Sequence, residues 1–496
     1  MALVKTGMFR NTVLAVLVLG LVGSSTVYAA GIAVARFGGE HGHPTTDNVT
    51  GIYYNPAGLV LNRGTHIFID GTYAIRNVTF QRPATAIGAY TLPDGTEQVL
   101  SIEGAEAANS GEATLSNMAA VPFMGIASDF GTDWMAAGLA FYAPFGGSSS
   151  WGKDSSFEGD DMFPGAVDGS QRWFSIDGTI RSLYLTAATA FQIDAADLSL
   201  GFSVSGIKSD INTVRARNAD GSDEMVSDPE NLLLKEGRAH VDASGMQVGF
   251  GVGAIWQPMP DKLWLGFSYT SKPNVSGGME LEGELTTVFN DQKEAETTDV
   301  TVTQDMPDVF RFGARLRPSD SVELRMFGDY TRWSALEVQC ILTKGSEQNC
   351  DYSNVEDALT NPAGVTSTSP QPPNQAVGRF WQDSFGVRLG GSYWFTENVE
   401  AYLGTGYDSS AVPVEMVDPA LFDMDKVTAS IGTKWQALDS LGLALTYTQV
   451  FYFEVDTDGQ GITDQFSNSS KLKQPSNNGV YNQSVSVINF YTDISF

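Results

Sequence analysis

Several residue types are scarce in this chain of 496 residues. Histidine occurs only four times and no nucleophile motif accompanies it, so the sequence predicts no enzyme of the Ser-His-Asp kind. Basic residues number 29 against 58 acidic residues, and this balance excludes nucleic acid as a partner because phosphates would be repelled. Two cysteines, Cys340 and Cys350, lie in one polar segment, which predicts a local disulfide in an oxidising compartment.

Long apolar runs are also missing. After residue 30 there is no run of ~18 apolar residues, which excludes a helical membrane anchor. Residues 1–29 are predicted to be a signal peptide, because Lys5 and Arg10 precede the short apolar stretch TVLAVLVLGLV and small residues precede a cleavage site after Ala29. We therefore expect an exported chain, either soluble or a β-barrel.

The dominant pattern is a strict alternation of apolar and polar residues. In residues 310–317, FRFGARLR, the even positions are apolar and the odd positions are Arg or Gly. Residues 246–254, 263–270 and 322–326 repeat the pattern. A strand places the two sets on opposite faces. In a transmembrane barrel the apolar face meets lipid and the polar face lines the lumen.

Fourteen such segments follow one another along the chain. They are 66–80, 117–129, 133–145, 178–193, 196–209, 240–258, 261–275, 305–318, 320–333, 381–396, 398–408, 425–437, 440–455 and 484–496. Short and long connections alternate between them, as in outer-membrane barrels with periplasmic turns and extracellular loops. The sequence predicts an all-β fold, a transmembrane antiparallel β-barrel of 14 strands with both termini in the periplasm.

The last predicted strand ends the chain with an aromatic residue. Ile488, Phe490, Ile494 and Phe496 lie on one face of it. A terminal strand of this kind is typical of outer-membrane proteins, which present it to the barrel assembly machinery.

Five stretches carry a family resemblance. They are NPAGL (55–59), YAPFG (142–146), WQPMPDKLWLGFSYTSK (256–272), DYTRWS (329–334) and GYDSSAVP (406–413). In this order and spacing the chain resembles the FadL family of outer-membrane transporters for fatty acids and other hydrophobic compounds. The resemblance implies an N-terminal hatch, residues 30–64, that plugs the lumen of a barrel formed by residues 65–496. It also implies a route from the extracellular loops to a lumen pocket and then sideways through a gap at a kink in the third strand.

Two sets of residues are expected to control that route. Tyr53, Tyr54, Asn55 and Pro56 form the turn between hatch and barrel, since the residue before a proline avoids the helical region. In the third strand Gly138 and Pro144 are able to break pairing, and Gly138 is the predicted gating residue.

A fatty-acid carrier needs an apolar channel and a cation or donor for the carboxylate. By the resemblance, Lys208 and Arg379 are the candidate cations, with a solvated strand-end charge as the alternative for Lys208. Near Arg379 a lysine of the family is replaced by Trp381 or Gln382, which leaves room for an uncharged ligand such as an aromatic hydrocarbon. A separate group of arginines is expected to pair with Glu323 and Asp329: Arg311, Arg315, Arg317 and Arg325.

Apolar candidates for the ligand site come from two regions. Trp264 and Phe327 fall on the predicted lumen side, where an apolar ligand would explain them. Loop 146–177 carries Trp151, Phe163, Trp173 and Phe174, which predict a capture surface unless the loop packs on itself. We expect no cofactor and no metal, because the His41 and His43 positions rarely converge on one ion.

The sequence thus favours a passive channel for hydrophobic small molecules, most of all long-chain fatty acids. We expect it to be a monomer in the lipid of a bacterial outer membrane. The alternatives are a carrier of uncharged aromatic hydrocarbons and a structural or receptor-like barrel with adhesive acidic loops.

Overall fold

The computed structural model describes residues 36–84, 89–91, 97–99, 103–218, 223, 236–275, 277–289, 294–346, 375–461 and 475–496. The predicted signal peptide, the first residues of the predicted hatch and Cys350 lie outside the described residues. Within the described ranges, no helix has both the length and the apolar character needed to cross a membrane.

The fold is a closed antiparallel barrel of fourteen strands. In chain order they are β1 Thr65–Arg82, β2 Gly111–Ser128, β3 Met135–Ser150, β4 Asp177–Ile193, β5 Leu198–Arg217, β6 Gly237–Met259, β7 Leu263–Thr270, β8 Val309–Ser319, β9 Val322–Thr331, β10 Ser384–Thr396, β11 Val399–Asp408, β12 Lys426–Leu438, β13 Leu441–Tyr452 and β14 Val480–Ser495. Each strand pairs with the next, and β14 pairs back with β1 to close the barrel. The prediction of 14 strands is confirmed, and each predicted segment overlaps one of them.

The two faces of the strands differ as the alternation predicts. On β8, Phe312 is 49% exposed on the outside, whereas Arg311 and Arg315 are each 6% exposed on the inside. Met326 and Ile431 are likewise exposed on the outer face of their strands. An apolar outer face suits lipid, and the polar inner face can form hydrogen bonds inside the lumen.

The two ends of the barrel carry different connections. At one end six short turns join the strands in pairs, and the chain enters β1 and leaves β14 at this same end. At the other end seven long loops join the strands, and four of these loops contain additional strands among the described residues: Ala89–Thr91, Glu97–Val99, Met279–Val288, Glu296–Gln304, Val338–Thr343, Gln375–Gly378 and Val455–Asp456. We call these the turn end and the loop end.

The helices are short and lie in the N-terminal segment and the loops. The α-helices are α1 Gly51–Tyr54 and α2 Ala105–Ala108. The 3-10 helices are Gly39–His41, Pro56–Leu61, Ser155–Phe157, Pro164–Asp168, Asp194–Ala196, Trp333–Ala335 and Val414–Met416.

Residues 36–64, called the hatch from here on, lie inside the barrel. They contact inward-facing residues of strands all round the wall, from β1 to β14. Glycines make the close approach possible, since a Cβ atom on Gly201, Gly253 or Gly266 would overlap the hatch. Above the hatch, toward the loop end, a large apolar cluster of inward-facing and loop residues fills the barrel.

Candidate functional site: the lumen above the hatch

Asn55 anchors the hatch to the wall. It is extended, at φ −164°, and precedes the proline that begins the 3-10 helix Pro56–Leu61. Its Nδ2 donates hydrogen bonds to the carbonyl oxygens of Pro44 at 2.7 Å, Ala254 at 3.1 Å and Phe267 at 3.2 Å. Its Oδ1 accepts one from the Ala57 amide at 3.1 Å. One fully buried carboxamide therefore joins the hatch turn to both β6 and β7.

Polar contacts hold the opposite side of the hatch. The Asp70 carboxylate of β1 accepts a hydrogen bond from the Gly38 amide at 2.5 Å and one from Asn489 of β14 at 2.7 Å. His41 contacts Glu400 at 3.0 Å and the Tyr491 hydroxyl at 2.8 Å. In the described part of the chain no group of acidic, histidine or cysteine side chains has the arrangement of a metal site.

Two ionisable hatch residues, Asp47 and His43, lie lower in the lumen. Asp47 forms an ion pair with Arg315 at 2.6 Å, and the arginine holds the pKa of that carboxyl well below its usual range. The pKa of His43 lies well below its ordinary value, first because the ring is buried and second because the positive charges of Arg325 and Arg315 lie near it. His43 is therefore neutral at neutral pH, and its Nδ1 accepts a hydrogen bond from Thr45.

Above the hatch lies a cavity of about 150 Å³. Aromatic residues from the hatch, the wall and a loop line one part of it, and they are Tyr53, Tyr54, Phe145, Phe327, Trp333, Phe385 and Tyr452. Charged side chains line the rest, and they are Arg36, Glu40, Arg311, Asp329, Arg388, Asp408, Asp423 and Lys426. The lumen site therefore combines an apolar wall with fixed charges of both signs.

The charges in the cavity are unequally paired. Arg388 bridges Asp329 at 3.2 Å and Asp408 at 2.7 Å, and Lys426 pairs with Asp423 at 2.7 Å. Within the described ranges, Arg36 and Arg311 form no ion pair. The buried Arg311 and the half-buried Arg36 thus face a cavity in which three of the four acidic groups already pair with Arg388 or Lys426.

Arg311 is the better defined of these two cations. Its side chain is held by a hydrogen bond from Nη1 to the Thr270 hydroxyl at 3.0 Å. Its guanidinium lies over the Tyr53 ring at 4.6 Å and the Tyr54 ring at 5.9 Å. Asp329 is opposite Arg311 in the strand register but is taken by Arg388. An unpaired buried charge costs several kcal/mol, so this arginine needs an explanation.

The predicted arginine pairs are therefore only partly correct. Arg325 does pair with Glu323, at 3.2 Å. Arg315 instead pairs with the hatch, and Arg317 stacks on Trp394 at 5.1 Å. The prediction is wrong for Arg311 because a competing arginine from β10 reaches the same carboxylate.

Aromatic rings connect this cavity with the loop end and with the wall. Trp381 packs on Trp333 at 4.9 Å, and Trp333 packs edge-on against Phe145 at 6.3 Å. On the other side Tyr53 contacts Tyr142 of β3 at 5.4 Å. The rings form a continuous apolar path that passes the cavity and ends at β3.

The path ends where the ladder between β2 and β3 stops. These strands pair only from Ser128 opposite Ala137 to Phe123 opposite Tyr142. Beyond that point β2 remains paired with β1, and β3 remains paired with β4 after a bulge between Tyr142 and Phe145. Pro122 and Pro144 lie directly past the last pair, and neither can donate a backbone hydrogen bond.

The predicted role of Gly138 in breaking this pairing is wrong. Gly138 pairs with Ala127 on one side and with Ala188 on the other, in regular register. The irregularity lies six residues later and contains Pro144. Glycine only weakens a strand, whereas proline removes a ladder donor.

Lys208 lies outside the lumen. It shares the outer face of β5 with Phe202 and Val204, its side chain is 54% exposed, and its Nζ lies 3.5 Å from Asp210. The predicted role as a lumen cation is therefore contradicted by its position. The alternation in LSLGFSVSGIKSD could have shown this, because Lys208 is in phase with the lipid-facing residues.

Arg379 is buried at the loop end and engaged there. It forms an ion pair with Asp418 at 2.5 Å and donates a hydrogen bond to Gln339. It stabilises loop packing and does not line the cavity. The fold thus uses both predicted lumen cations elsewhere, whereas Arg311, which is predicted to form a structural ion pair, lines the cavity.

Trp264 and Phe327 both face the lumen, as predicted. Trp264 packs below the cavity against Ala57 of the hatch, and the Arg315 guanidinium stacks on it at 4.1 Å. Phe327 lines the cavity and contacts the His43 ring at 5.7 Å. Phe327 is thus placed to contact a ligand, whereas Trp264 supports the hatch.

The aromatic residues of loop 146–177 divide into two groups. Phe163 and Trp173 are buried with Ala105 and Ala108 of α2, and Phe174 packs against the same cluster. Trp173 also donates a hydrogen bond to Asn109. These three residues therefore form the inside of a loop, which is the self-packing alternative.

Trp151 belongs to a different cluster. It is 5% exposed and lies in the apolar cluster that also contains Trp333 and Trp381. Trp151 is therefore buried in the apolar interior at the loop end.

Cys340 is disulfide-bonded. It lies in the strand Val338–Thr343 of a long loop. Its predicted partner, Cys350, lies outside the described residues.

Comparisons with known proteins agree with this geometry. A crystal structure of a Pseudomonas aeruginosa FadL homologue superimposes with a TM-score of 0.67 at 18% identity, over 95% of this chain and 99% of that chain. The P. putida toluene transporter TodX has a TM-score of 0.58 and the Ralstonia pickettii toluene transporter TbuX 0.57, each at 14% identity over 95% of this chain and 99% of theirs. No curated protein sequence matches this chain.

A family model supplies the assignment. The model described as outer membrane protein transport protein (OMPP1/FadL/TodX) matches residues 24–487. This chain belongs to the FadL/TodX family of outer-membrane transport proteins.

Proposed function

We propose that the protein is a passive channel that takes up long-chain fatty acids across a bacterial outer membrane. The observation that carries this proposal is Arg311, a buried cation without an ion pair in the described structure, held against Tyr53 and Tyr54 in the lumen cavity. A fatty acid would complete such a site in two ways. Its carboxylate pairs with the guanidinium, and its chain packs on the aromatic wall.

The cavity size fits a head group better than a whole ligand. Drug-sized ligands occupy pockets of roughly 300–1,000 Å³, and this cavity has about 150 Å³. The carboxylate and first carbons would lie in the cavity, while the rest of the chain follows the path through Phe145, Trp333 and Trp381. Toluene would use the aromatic rings but leave Arg311 unpaired, and for this reason the fatty acid is favoured.

The exit is proposed to be lateral. The hatch contacts the wall all round and obstructs the direct route to the turn end. The interrupted ladder between β2 and β3 lies beside Tyr142, which contacts Tyr53 of the hatch, and beside Phe145, which lines the cavity. A ligand leaving there would break no backbone ladder and would enter the bilayer directly.

The remaining assignments complete this proposal. Residues 1–29 are a signal peptide, residues 30–64 the hatch and residues 65–496 the barrel. The turn end and both termini face the periplasm, so the long loops meet the ligand outside the cell. The protein works as a monomer surrounded by outer-membrane lipid, after insertion by the barrel assembly machinery.

Replacing Arg311 tests the proposal. Arg311→Gln should weaken binding of hexadecanoate to the purified protein by about 10- to 100-fold, the effect of losing one hydrogen bond to a charged group. Binding of toluene, measured by the same calorimetric titration, should be unchanged. Arg317→Gln is the matched control, since Arg317 is on the same strand but stacks on Trp394 at the turn end.

Two results would contradict the proposal. One is equal affinity of the wild type and Arg311→Gln for hexadecanoate. The other is wild-type protein that binds toluene but not hexadecanoate, which would support the carrier of aromatic hydrocarbons.

A further inference from the structure

The side chain of Asn117 bridges the interrupted ladder between β2 and β3, and beyond it the Gly152 amide donates a hydrogen bond to the Thr114 carbonyl oxygen at 2.8 Å. The Nδ2 of Asn117 donates hydrogen bonds to the Ser148 carbonyl oxygen at 2.9 Å and to the Ser148 hydroxyl at 3.0 Å. Between this bridge and the Phe123–Tyr142 pair, residues 118–122 of β2 and 143–147 of β3 form no ladder with each other. Five residues of strand correspond to about 16 Å. We call this stretch the ladder gap.

The other arm of the Asn117 carboxamide has no partner among the described residues. Its Oδ1 is buried and accepts no hydrogen bond from any of them. The orientation of the amide follows from Ser148, because a backbone carbonyl can only accept and so must face Nδ2. A buried acceptor without a donor is uncommon in a folded protein.

The surroundings offer this acceptor no substitute. Asn117 faces inward, and the next inward residues on its strand, Ala119 and Val121, are apolar and fully buried. Its register neighbour on β1, Arg76, donates to Gln483 and lies over the Phe422 ring at 4.8 Å. The edge of the ladder gap therefore carries an unsatisfied acceptor between apolar residues of its own strand and an arginine whose guanidinium is directed to Gln483 and Phe422.

We propose that Asn117 makes the ladder gap selective for neutral head groups that donate a hydrogen bond, namely a protonated carboxylic acid or a hydroxyl. This inference rests on the proposed function and specifies the form in which the ligand leaves. Oδ1 accepts a hydrogen bond from –COOH or –OH. A carboxylate or an ester has only acceptors and would leave Oδ1 unsatisfied.

The same selection suits the destination of the ligand. A charged carboxylate is costly in a bilayer, so the acid must take up a proton from water before it enters lipid. Arg311 holds the charged form inside the lumen, and Asn117 favours the neutral form at the exit. The two residues thus act on different forms of one compound.

Three compounds of equal chain length separate these steps. Uptake of hexadecanoic acid, hexadecanol and methyl hexadecanoate would be measured in bacterial cells that express the full chain, corrected for cells that lack it. In the wild type the alcohol should enter about five-fold faster than the ester, the effect of one net hydrogen bond. Asn117→Leu should bring that ratio close to one.

Two variants serve as controls. Asn77→Leu makes the same change on the outer face of β1, where Asn77 is exposed, and should keep the wild-type ratio. Asn117→Gln retains the amide and should keep most of the preference. If Asn117→Leu fails to fold, as judged by heat-modifiable gel mobility, Asn117→Thr keeps a hydroxyl at the position and should lower the ratio without removing it.

The outcomes distinguish the two proposals. Uptake of none of the three compounds above background overturns the channel function itself. Uptake with an unchanged alcohol-to-ester ratio in Asn117→Leu overturns the role of Asn117 alone. Arg311→Gln should slow the acid relative to the alcohol but leave the alcohol-to-ester ratio intact, and a changed ratio would contradict separate roles.

Discussion

The attachment of the hatch depends strongly on one residue, so Asn55→Ala is the most informative substitution. The change keeps Pro56 and therefore the turn that begins the 3-10 helix Pro56–Leu61. It removes four hydrogen bonds, three donated by Nδ2 and one accepted by Oδ1. No ladder bond of the barrel involves this side chain. The barrel should therefore fold, with a hatch that is less firmly attached.

The size of the effect follows from these contacts. A net hydrogen bond contributes about 1 kcal/mol, and the three bonds from Nδ2 share two protons, so the total loss is about 2–4 kcal/mol. Water cannot replace the bonds at a fully buried position. A loss of this size shifts the equilibrium between attached and detached hatch by about 30- to 700-fold.

Single-channel conductance in planar bilayers measures the detached state directly. Asn55→Ala should open to ions far more often than the wild type, while its heat-modifiable gel mobility stays that of a folded barrel. Asn62→Ala is the matched control, since Asn62 lies in the same segment and its side chain forms no hydrogen bond within the described residues.

Two outcomes would refute the reasoning. If Asn55→Ala loses heat-modifiable mobility, the residue is needed for folding of the barrel and not for holding the hatch. If conductance equals that of Asn62→Ala, the other contacts of the hatch, such as those of Asp70 and Asp47, suffice without Asn55.

Two further predictions concern the gap and pH. Pro144→Val restores a backbone donor beside the last β2–β3 pair and should slow hexadecanol uptake several-fold, whereas the same uptake rate as the wild type would contradict a lateral exit there. The lowered pKa of His43 means that the attached hatch takes up no proton near neutral pH, while a detached hatch does so below about 6.5. Attachment should therefore weaken as pH falls from 7 to 5, by up to about 1.4 kcal/mol per unit. Conductance should rise over this range in the wild type and less in His43→Gln, and equal pH profiles would remove His43 as the cause.

The barrel architecture could be predicted from the sequence because lipid imposes a local rule. Every second residue of a lipid-facing strand must be apolar, and residues 310–317 satisfy that rule without reference to any other part of the chain. The same rule predicts that Lys208 lies on the outer face of its strand. Lys208 is in phase with Phe202 and Val204, so the alternation predicts its outward position, whereas the family resemblance predicts a place in the lumen.

The contacts that define the site could not be predicted in this way. Arg311 and Asp329 are paired in register, but Arg388 reaches the same carboxylate from β10 and leaves Arg311 without an ion pair among the described residues. Nothing in the sequence marks Pro122 and Pro144 as neighbours. Only the strand register shows that both follow the last pair of the β2–β3 ladder. Ion pairs and register neighbours of this kind depend on which residues the folded chain brings closest together.

The NPAGL motif shows the same division. By itself the sequence determined that Asn55-Pro56 forms a turn at the front of a 14-stranded barrel, because proline restricts the residue before it. Only the tertiary structure decided what the turn does. Asn55 donates hydrogen bonds to the carbonyl oxygens of Ala254 and Phe267, which lie 199 and 212 positions further along the chain. Gly253 leaves room for the Asn55 side chain. Alternation is a property of neighbouring residues, whereas a hydrogen bond across the lumen exists only once the barrel has closed.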